Sequence, residues 1–250
     1  MNFKPLWRWL LALALALLAL QIFFAVRIAM MAWIDPQSSA FQRSEAWRLA
    51  SGRSGLSWRQ EWRSYAQLGD HIKRAVIVSE DDGFAYHDGV DWESIEKAWH
   101  KNLKNQNAAQ PLAKDTSVNN LAKNKTTAKV VGGSTITQQL AKNLLLSGER
   151  TMLRKSQEFV LTALLELLLT KERILEIYLN SVEWGEGIFG AEAAAQHYYR
   201  KPAARLSAYE AARLAVMLPR PRYFEKLPAS GYLQSRAGVI QARMARAELP

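Results

Sequence analysis

A long apolar run near the amino terminus constrains this chain more than any other feature of its sequence. Residues 9–26 contain no charge and one polar side chain, Gln21, and the run resumes after Arg27. About 20 apolar residues are enough to cross a bilayer as a helix, in which the backbone polar groups are satisfied internally. The pattern therefore predicts a transmembrane anchor over residues 9–34, preceded by a cytoplasmic tail over residues 1–8.

The alternative interpretation of this run is a cleaved signal peptide, because Lys4 and Arg8 form a basic segment in front of it. The length of the run favours an uncleaved anchor, as does the lack of a small-residue cleavage site after it. Basic residues lie on both sides of the run, so the positive-inside rule leaves its orientation open.

Residues 35–63 follow as a connector that is rich in Ser, Gly, Arg and Trp. Trp58 and Trp62 are spaced by one helical turn, which favours a short helix. Two interpretations stay open: the helix lies on lipid headgroups, or it packs on the following domain as an ordinary linker.

Residues 64–250 are patterned as a mainly α-helical domain, in which alternating strands are scarce. Helical periods cover residues 70–79, 91–104, 135–146, 151–170, 171–180, 189–199 and 207–217. The segment 101–130 differs from these, because it is rich in Lys and Asn and almost free of large apolar residues. Such a composition predicts a mobile loop or insertion.

The overall charge and the scarce metal-binding residues narrow the class of function. The formal net charge of the 250 residues is +10, which favours an anionic partner such as nucleic acid, acidic lipid or a phosphorylated substrate. Cysteine is absent and the four histidines lack the spacing of helical metal ligands. Disulfides are therefore excluded, and a zinc site is not expected.

Two blocks of sequence combine groups suited to chemistry on an anionic substrate. The first begins with Glu80 and Asp81 at the end of an apolar run, where burial would raise carboxyl pKa values and suit proton transfer. The second runs from Gly132 to Asn143. Its two glycines lead into a helix start at which Thr135 and Gln138 have the spacing of a capping box. A helix amino terminus of this kind favours an anion.

Two further blocks lie in the helices that follow. Arg150, Arg154 and Lys155 accompany a single acid, Glu158, at the start of an apolar helix that we expect to be largely buried. An ion pair between Arg154 and Glu158 explains part of this cluster, and an anionic substrate would explain the excess of cations. The segment 171–180 carries an amphipathic stripe, and Asn180 is expected to end its helix.

Together these blocks resemble the ordered motifs of the biosynthetic peptidoglycan glycosyltransferases. The matching patterns are EDxxFxxHxG at 80–89, GGSTITQQxxKN at 132–143, RKxxE at 154–158 and KxxILExYLNxxxxG at 171–185. The chain is similar to the monofunctional form, which lacks a transpeptidase domain. The resemblance implies a lysozyme-like helical domain of two lobes and a substrate of lipid II. It also implies an inner-membrane protein whose domain lies in the periplasm.

The resemblance also implies roles for individual residues. Glu80 aligns with the catalytic glutamate and is expected to act as general base in an inverting transfer. Glu158 aligns with the second carboxylate, which would orient cations or a metal. The residues expected to bind substrate are Asp81, Ser134, Gln138, Lys142, Arg150, Arg154 and Lys155.

Cofactors and partners follow from the same comparison. Mg²⁺ or another divalent cation is the one cofactor considered, and no organic cofactor is expected. The expected partners are lipid II, the growing glycan strand, the lipid bilayer and other cell-wall synthases, with no nucleic acid. Two alternatives stay open: a lysozyme-like enzyme that cleaves peptidoglycan, and a non-catalytic, membrane-tethered basic binding protein.

Overall fold

The chain folds mainly into α-helices, which confirms the fold class predicted from its periodicity. The computed structural model describes residues 4–52, 57–93, 96, 134–146 and 151–250. The α-helices are α1 (Lys4–Met30), α2 (Ala40–Ala50), α3 (Asp70–Glu80), α4 (Ile136–Leu145), α5 (Met152–Leu168), α6 (Lys171–Ser181), α7 (Ala191–Tyr199), α8 (Ala208–Met217), α9 (Pro221–Glu225) and α10 (Gly231–Arg243). Short 3₁₀ turns occupy Ala203–Arg205 and Met244–Arg246. The predicted helix at 91–104 and the segment 101–130 lie mostly or wholly outside the described residues.

Helix α1 holds the apolar run, and its carboxyl end is docked on the rest of the protein. Its segment Leu6–Met30 is long and apolar enough to cross a membrane, and none of its most apolar window is buried. Ile28, in the last turn of the helix, and Met31, directly after it, are buried in the core. Farther back, the amides of Gln21 and Gln157 bond to each other at 2.9 and 3.1 Å. The anchor is therefore joined to helix α5 by a polar contact as well as by packing.

The connector after α1 packs on the domain, as one of its two interpretations predicted. Leu49 of α2 is buried, and Arg222 pairs with Glu45. The Trp58 ring stacks on Phe189 with centroids 4.3 Å apart. The expected helix through Trp58 is wrong, because strand β1 (Arg59–Gln60) follows it directly.

Three short strands form one small sheet in the order β1-β3-β2. Strand β3 (Ile188–Phe189) runs parallel to β1 and antiparallel to β2 (Glu183–Gly185). The sheet ties the connector to the loop after α6. Asn180 strengthens this tie, since its buried amide bonds to the backbone N–H and C=O of Arg63 at 2.9 and 2.8 Å. Asn180 thus does not end helix α6, which continues to Ser181.

The helices of the core form two packed groups. Helix α8 lies against both α3 and α10, while α4 lies against both α5 and α6. The end of α3 faces the start of α4, so the first two chemical blocks of the sequence meet where the groups join. The largest fully buried side chains include Trp184, Tyr178 and Phe84.

Helix α5 is not largely buried, contrary to the expectation from its apolar sequence. Four of its residues are buried, namely Glu158, Leu161, Thr162 and Leu165. Met152, Leu153 and Leu167 are 83%, 84% and 78% exposed. An apolar sequence predicts that its side chains avoid water, not that they contact protein. A face next to a helix that is long and apolar enough to cross a membrane can meet lipid instead.

Candidate active site

A carboxylate at the end of helix α3 is the centre of the candidate site. Residues Ala75–Val78 are buried in the core, and the helix ends at Glu80, whose side chain is partly buried. Burial raises the pKa of Glu80 above its ordinary value, the nearby charge of Asp81 adds to this, and hydrogen bonds from Gln139 and Ser79 oppose it. A carboxylate with a raised pKa is a better proton acceptor than an exposed one.

A chain of two hydrogen bonds orients this carboxylate. Gln139 Nε2 donates to Glu80 Oε2 at 3.1 Å, and Tyr178 Oη donates to Gln139 Oε1 at 3.0 Å. Burial beside Glu80 and Asp81 holds the pKa of Tyr178 well above its ordinary value, so its hydroxyl remains a donor. Because Tyr178 fixes the carbonyl end of the amide, the amide nitrogen must face Glu80.

Replacing Gln139 by Leu should move the acid limb of the pH–rate profile to higher pH. The hydrogen bond from Gln139 favours the ionised form of Glu80, so its loss raises the pKa of Glu80 further. Activity that requires the ionised form then falls off sooner as the pH is lowered. Tyr178→Phe should shift the limb in the same direction by less, because it frees the amide without removing it.

The pH profiles are measured as initial rates of the glycosyl transfer that the family resemblance implies. Gln234→Leu is the matched control, since this exposed glutamine of α10 should leave the profile unchanged. An acid limb in Gln139→Leu that coincides with that of the wild type contradicts the positioning role of Gln139.

Both carboxylate oxygens of Asp81 are engaged by contacts within the protein. The residue is 7% exposed. One carboxylate oxygen lies 2.8 Å from His87 Nε2, and the other accepts from the backbone N–H of Ile136 at 2.9 Å. Asp81 therefore joins the loop after α3 to the amino terminus of α4, which favours a positioning role over the predicted contact with substrate.

The amino terminus of α4 has the predicted capping box. Thr135 accepts from the N–H of Gln138, and the Gln138 side chain accepts from the N–H of Thr135. Gln138 is 3% exposed, so its amide serves the cap, and the structure gives it no surface that faces a ligand. Ser134 is exposed at the entry to the helix, where a substrate group can reach it.

Lys142 lies on the exposed side of helix α4, one turn beyond Gln139. Side chains three residues apart on a helix are neighbours, with Cβ atoms about 5–6 Å apart. Since Gln139 contacts Glu80 directly, the same stretch of α4 presents both the group that orients the carboxylate and a cation.

The cations of helix α5 surround one buried acid. Glu158 is 3% exposed, and its two oxygens pair with Arg154 at 2.8 Å and with Lys155. The Lys155 ammonium also lies over the Phe159 ring. Arg154 Nε is buried and has no acceptor among the described residues. Glu158 thus orders two cations, one of which keeps an unused donor.

Two further predictions concern Arg150 and a divalent cation. Arg150 lies outside the described residues, so its predicted contact has no structural account. The described residues do not fit a divalent cation held by the protein, because both oxygens of Glu158 are engaged in ion pairs. No cluster of three His, Asp or Glu suited to a metal occurs in the described part of the chain.

The loop over residues 81–89 is fixed by groups that sequence reasoning missed. Lys171 Nζ donates to the carbonyl of His87 at 2.5 Å and to Glu166 at 2.9 Å. Thr137 Oγ1 donates to the same carboxylate at 2.6 Å. Glu166 was the sequence feature that could have indicated these contacts, since a lone acid within a run of leucines needs partners when it is buried.

Most of the chain matches one family of known proteins. Residues 50–111 and 114–245 match the family model described as "Transglycosylase". A protein of Burkholderia pseudomallei named "Biosynthetic peptidoglycan transglycosylase" is 52% identical over 235 residues, which cover 94% of this chain and 84% of that protein. A protein of the same name from Paraburkholderia phytofirmans is 47% identical over 248 residues, which cover 97% of this chain and 94% of that protein.

Proposed function

Since the chain belongs to the transglycosylase family and is a peptidoglycan glycosyltransferase, we propose that it polymerises lipid II into β-1,4 glycan strands with Glu80 as general base. One observation carries the assignment of the base. The carboxylate of Glu80 is partly buried and is aimed by Gln139 from the same helix that presents Lys142. Lys142 lies one helical turn beyond the residue that contacts Glu80.

In the proposed reaction the acceptor is lipid II and the donor is the growing strand on undecaprenyl pyrophosphate. Glu80 takes the proton of the acceptor 4-hydroxyl while that oxygen attacks the donor anomeric carbon. The new carbon–oxygen bond forms as the bond to the pyrophosphate breaks, and the α linkage of the donor becomes a β linkage. The pyrophosphate leaves with the bonding electrons, so no sugar oxygen has to be protonated.

Cations compensate the negative charge that develops on the departing pyrophosphate. Lys142 is assigned to the donor phosphates, and Arg150 is assigned with it from the family resemblance. Arg154 and Lys155, ordered by Glu158, add positive charge on the neighbouring helix. Preorganised donors of this kind contribute on the order of 3 kcal/mol each to transition-state stabilisation in a site that excludes water.

The proposed location follows from the substrate and from the anchor. Helix α1 crosses the inner membrane once, with its amino terminus in the cytoplasm and the domain in the periplasm. The apolar face of α5 that carries Met152, Leu153 and Leu167 then meets the outer leaflet next to α1. A lipid-linked donor and acceptor reach the site from the same leaflet.

Incubation of the purified full chain with labelled lipid II tests the function directly. A ladder of lengthening glycan strands is expected, and a parallel sample with chelator tests the predicted divalent cation. Finished strands should stay intact in a parallel incubation. Shortened strands beside unreacted lipid II would instead support the lysozyme-like alternative.

Replacing Lys142 by Ala should slow polymerisation about 100-fold, the usual cost of removing one preorganised group that stabilises developing charge. The loss should appear when a lipid-linked oligosaccharide donor is titrated, and much less when the lipid II acceptor is titrated. Lys226→Ala is the matched control, since it removes an equal charge from an exposed position after α9. Equal losses for donor and acceptor contradict the assignment.

A further inference from the structure

A cavity of about 270 Å³ lies where helix α1 ends and the connector begins. Its walls include Arg27, Met30, Ile34, Asp35, Ser38 and Arg43. The cavity is formed by fixed backbone, because Arg173 Nε donates to the carbonyl of Met31 at 2.7 Å. The anchor ends at this level, so the cavity belongs to the boundary between membrane and water.

The cavity has an excess of positive charge. Arg27 is partly buried, and the charge that acts on it is that of Arg43. Arg43 donates to the carbonyl and hydroxyl of Ser38, both at 3.1 Å, and these acceptors are neutral. Neither guanidinium has a carboxylate partner among the residues that the structure describes. Two cations that repel each other, Arg27 partly buried and Arg43 exposed, favour a bound anion between them.

The acid in the cavity does not compensate these cations. Asp35 pairs with Arg173 at 2.7 Å, and Arg173 also pairs with Glu176. The carboxylate of Asp35 is therefore engaged with a cation of helix α6, and the guanidinium groups of Arg27 and Arg43 remain available to a ligand.

The apolar surroundings indicate what kind of anion fits. Met30, Trp33 and Ile34 are 48%, 84% and 62% exposed beside the cavity. A free anion gains nothing from these apolar side chains. A lipid, in contrast, can place its phosphate on the arginines and its acyl chains along the apolar side chains. Arginine forms paired hydrogen bonds with phosphate and covers apolar surface with its stem.

We infer that the end of the anchor carries a binding site for an anionic phospholipid, whose phosphate lies between Arg27 and Arg43. The site depends on α1 crossing a bilayer, as proposed above, and it is separate from the site assigned to the substrate pyrophosphate. An arginine at the periplasmic end of a membrane helix runs against the positive-inside bias. A bound anionic headgroup gives Arg27 a physical reason to be there.

Thermal unfolding of the full chain in neutral detergent tests this inference with three probes. Added phosphatidylglycerol should raise the unfolding temperature in a saturable way, because a ligand that binds the folded state stabilises it. Phosphatidylcholine and inorganic phosphate should raise it far less at equal concentration. High salt should weaken the effect of phosphatidylglycerol, since screening reduces attraction between exposed charges.

Substitutions link the effect to the cavity. Arg27→Gln and Arg43→Gln should each weaken the apparent affinity for phosphatidylglycerol roughly tenfold, the usual cost of one charge-assisted hydrogen bond. Arg236→Gln, an equal change of charge at an exposed position on α10, should have no effect. Retained affinity in the double variant Arg27→Gln/Arg43→Gln, or equal stabilisation by phosphatidylcholine, overturns the inference.

Native mass spectrometry gives a second readout for any variant that unfolds too early. The wild type should retain one phosphatidylglycerol that the Arg43→Gln variant loses, and this substitution leaves the anchor unchanged. Displacement of that lipid by an equal concentration of inorganic phosphate, or preferential retention of lipid II at the same arginines, overturns the assignment to a membrane phospholipid. The readouts do not depend on polymerisation, so they fail independently of the proposed activity.

Discussion

Replacing Glu80 by Gln should lower the rate of polymerisation at least 1,000-fold, within the range of about 100- to 10,000-fold ascribed to a positioned general base. The amide has the shape of the carboxylate and can turn its oxygen towards Gln139 Nε2, which now donates to Glu80 at 3.1 Å. What it lacks is the ability to take the proton of the acceptor hydroxyl. Binding of lipid II should therefore stay within a few-fold of the wild-type value.

The same substitution should raise the stability of the fold at neutral pH. The pKa of Glu80 is raised in the folded protein, so the folded state binds its proton more tightly than the unfolded state does. Stability then falls as the pH rises through the interval between the two pKa values. Above this interval the ionised carboxylate costs stability, and the neutral amide introduced by Glu80→Gln avoids that cost. Thermal unfolding at neutral pH should show a higher midpoint for the variant.

Activity and stability should therefore change in opposite directions, which separates a chemical role of Glu80 from a structural one. Glu172→Gln is the matched control, because Glu172 is an exposed acid at the start of α6. It should leave both quantities close to those of the wild type. Substantial turnover by Glu80→Gln in the lipid II assay contradicts the assignment of the base.

Periodicity predicted helices α3 to α8 within two residues at each end, because their apolar stripes face the core and their caps are local, but it predicted neither α9 nor α10. The box formed by Thr135 and Gln138 is an example, since it needs two residues three positions apart and no tertiary partner. The strand after Trp58 was missed, because its pairing with β3 joins residues far apart in the chain.

Two adjacent glutamines in the candidate site show the same limit: a local sequence pattern does not predict tertiary contacts. Gln138 and Gln139 are adjacent and chemically identical, yet one caps helix α4 and the other contacts Glu80. Spacing along a helix identified the first role. The second depends on where α3 ends relative to α4, a tertiary relation that no local pattern contains. The contact with Glu80 therefore belongs to Gln139, while the amide of Gln138 serves the cap.

Gly89 should be the glycine least tolerant of substitution in the loop after Glu80. Its φ angle is +80°, and an added Cβ would lie 2.6 Å from Thr162 Cγ2 and 2.9 Å from Glu166 Cγ. Its carbonyl accepts from Thr135 Oγ1 at 2.6 Å. A shift of the backbone would therefore disturb both the loop and the amino terminus of α4.

Gly89→Ala should destabilise the fold by about 3 kcal/mol, from backbone strain together with overpacking. It should also slow polymerisation about 100-fold, because a displacement near 1 Å misaligns reacting groups to that extent. Gly238→Ala is the matched control. A Cβ at Gly238 meets nothing within 4 Å, so this change inside helix α10 should stabilise the protein by about 0.5–1 kcal/mol.

A second substitution separates the steric clash from the backbone strain. Thr162→Ser removes the methyl group nearest to the added Cβ and keeps the hydroxyl that donates to the carbonyl of Glu158 at 2.8 Å. The double variant Gly89→Ala/Thr162→Ser should therefore recover part of the lost activity and stability. The positive φ angle remains, so recovery should be incomplete. Wild-type activity and stability in Gly89→Ala alone would show that this contact does not position the loop beside Glu80.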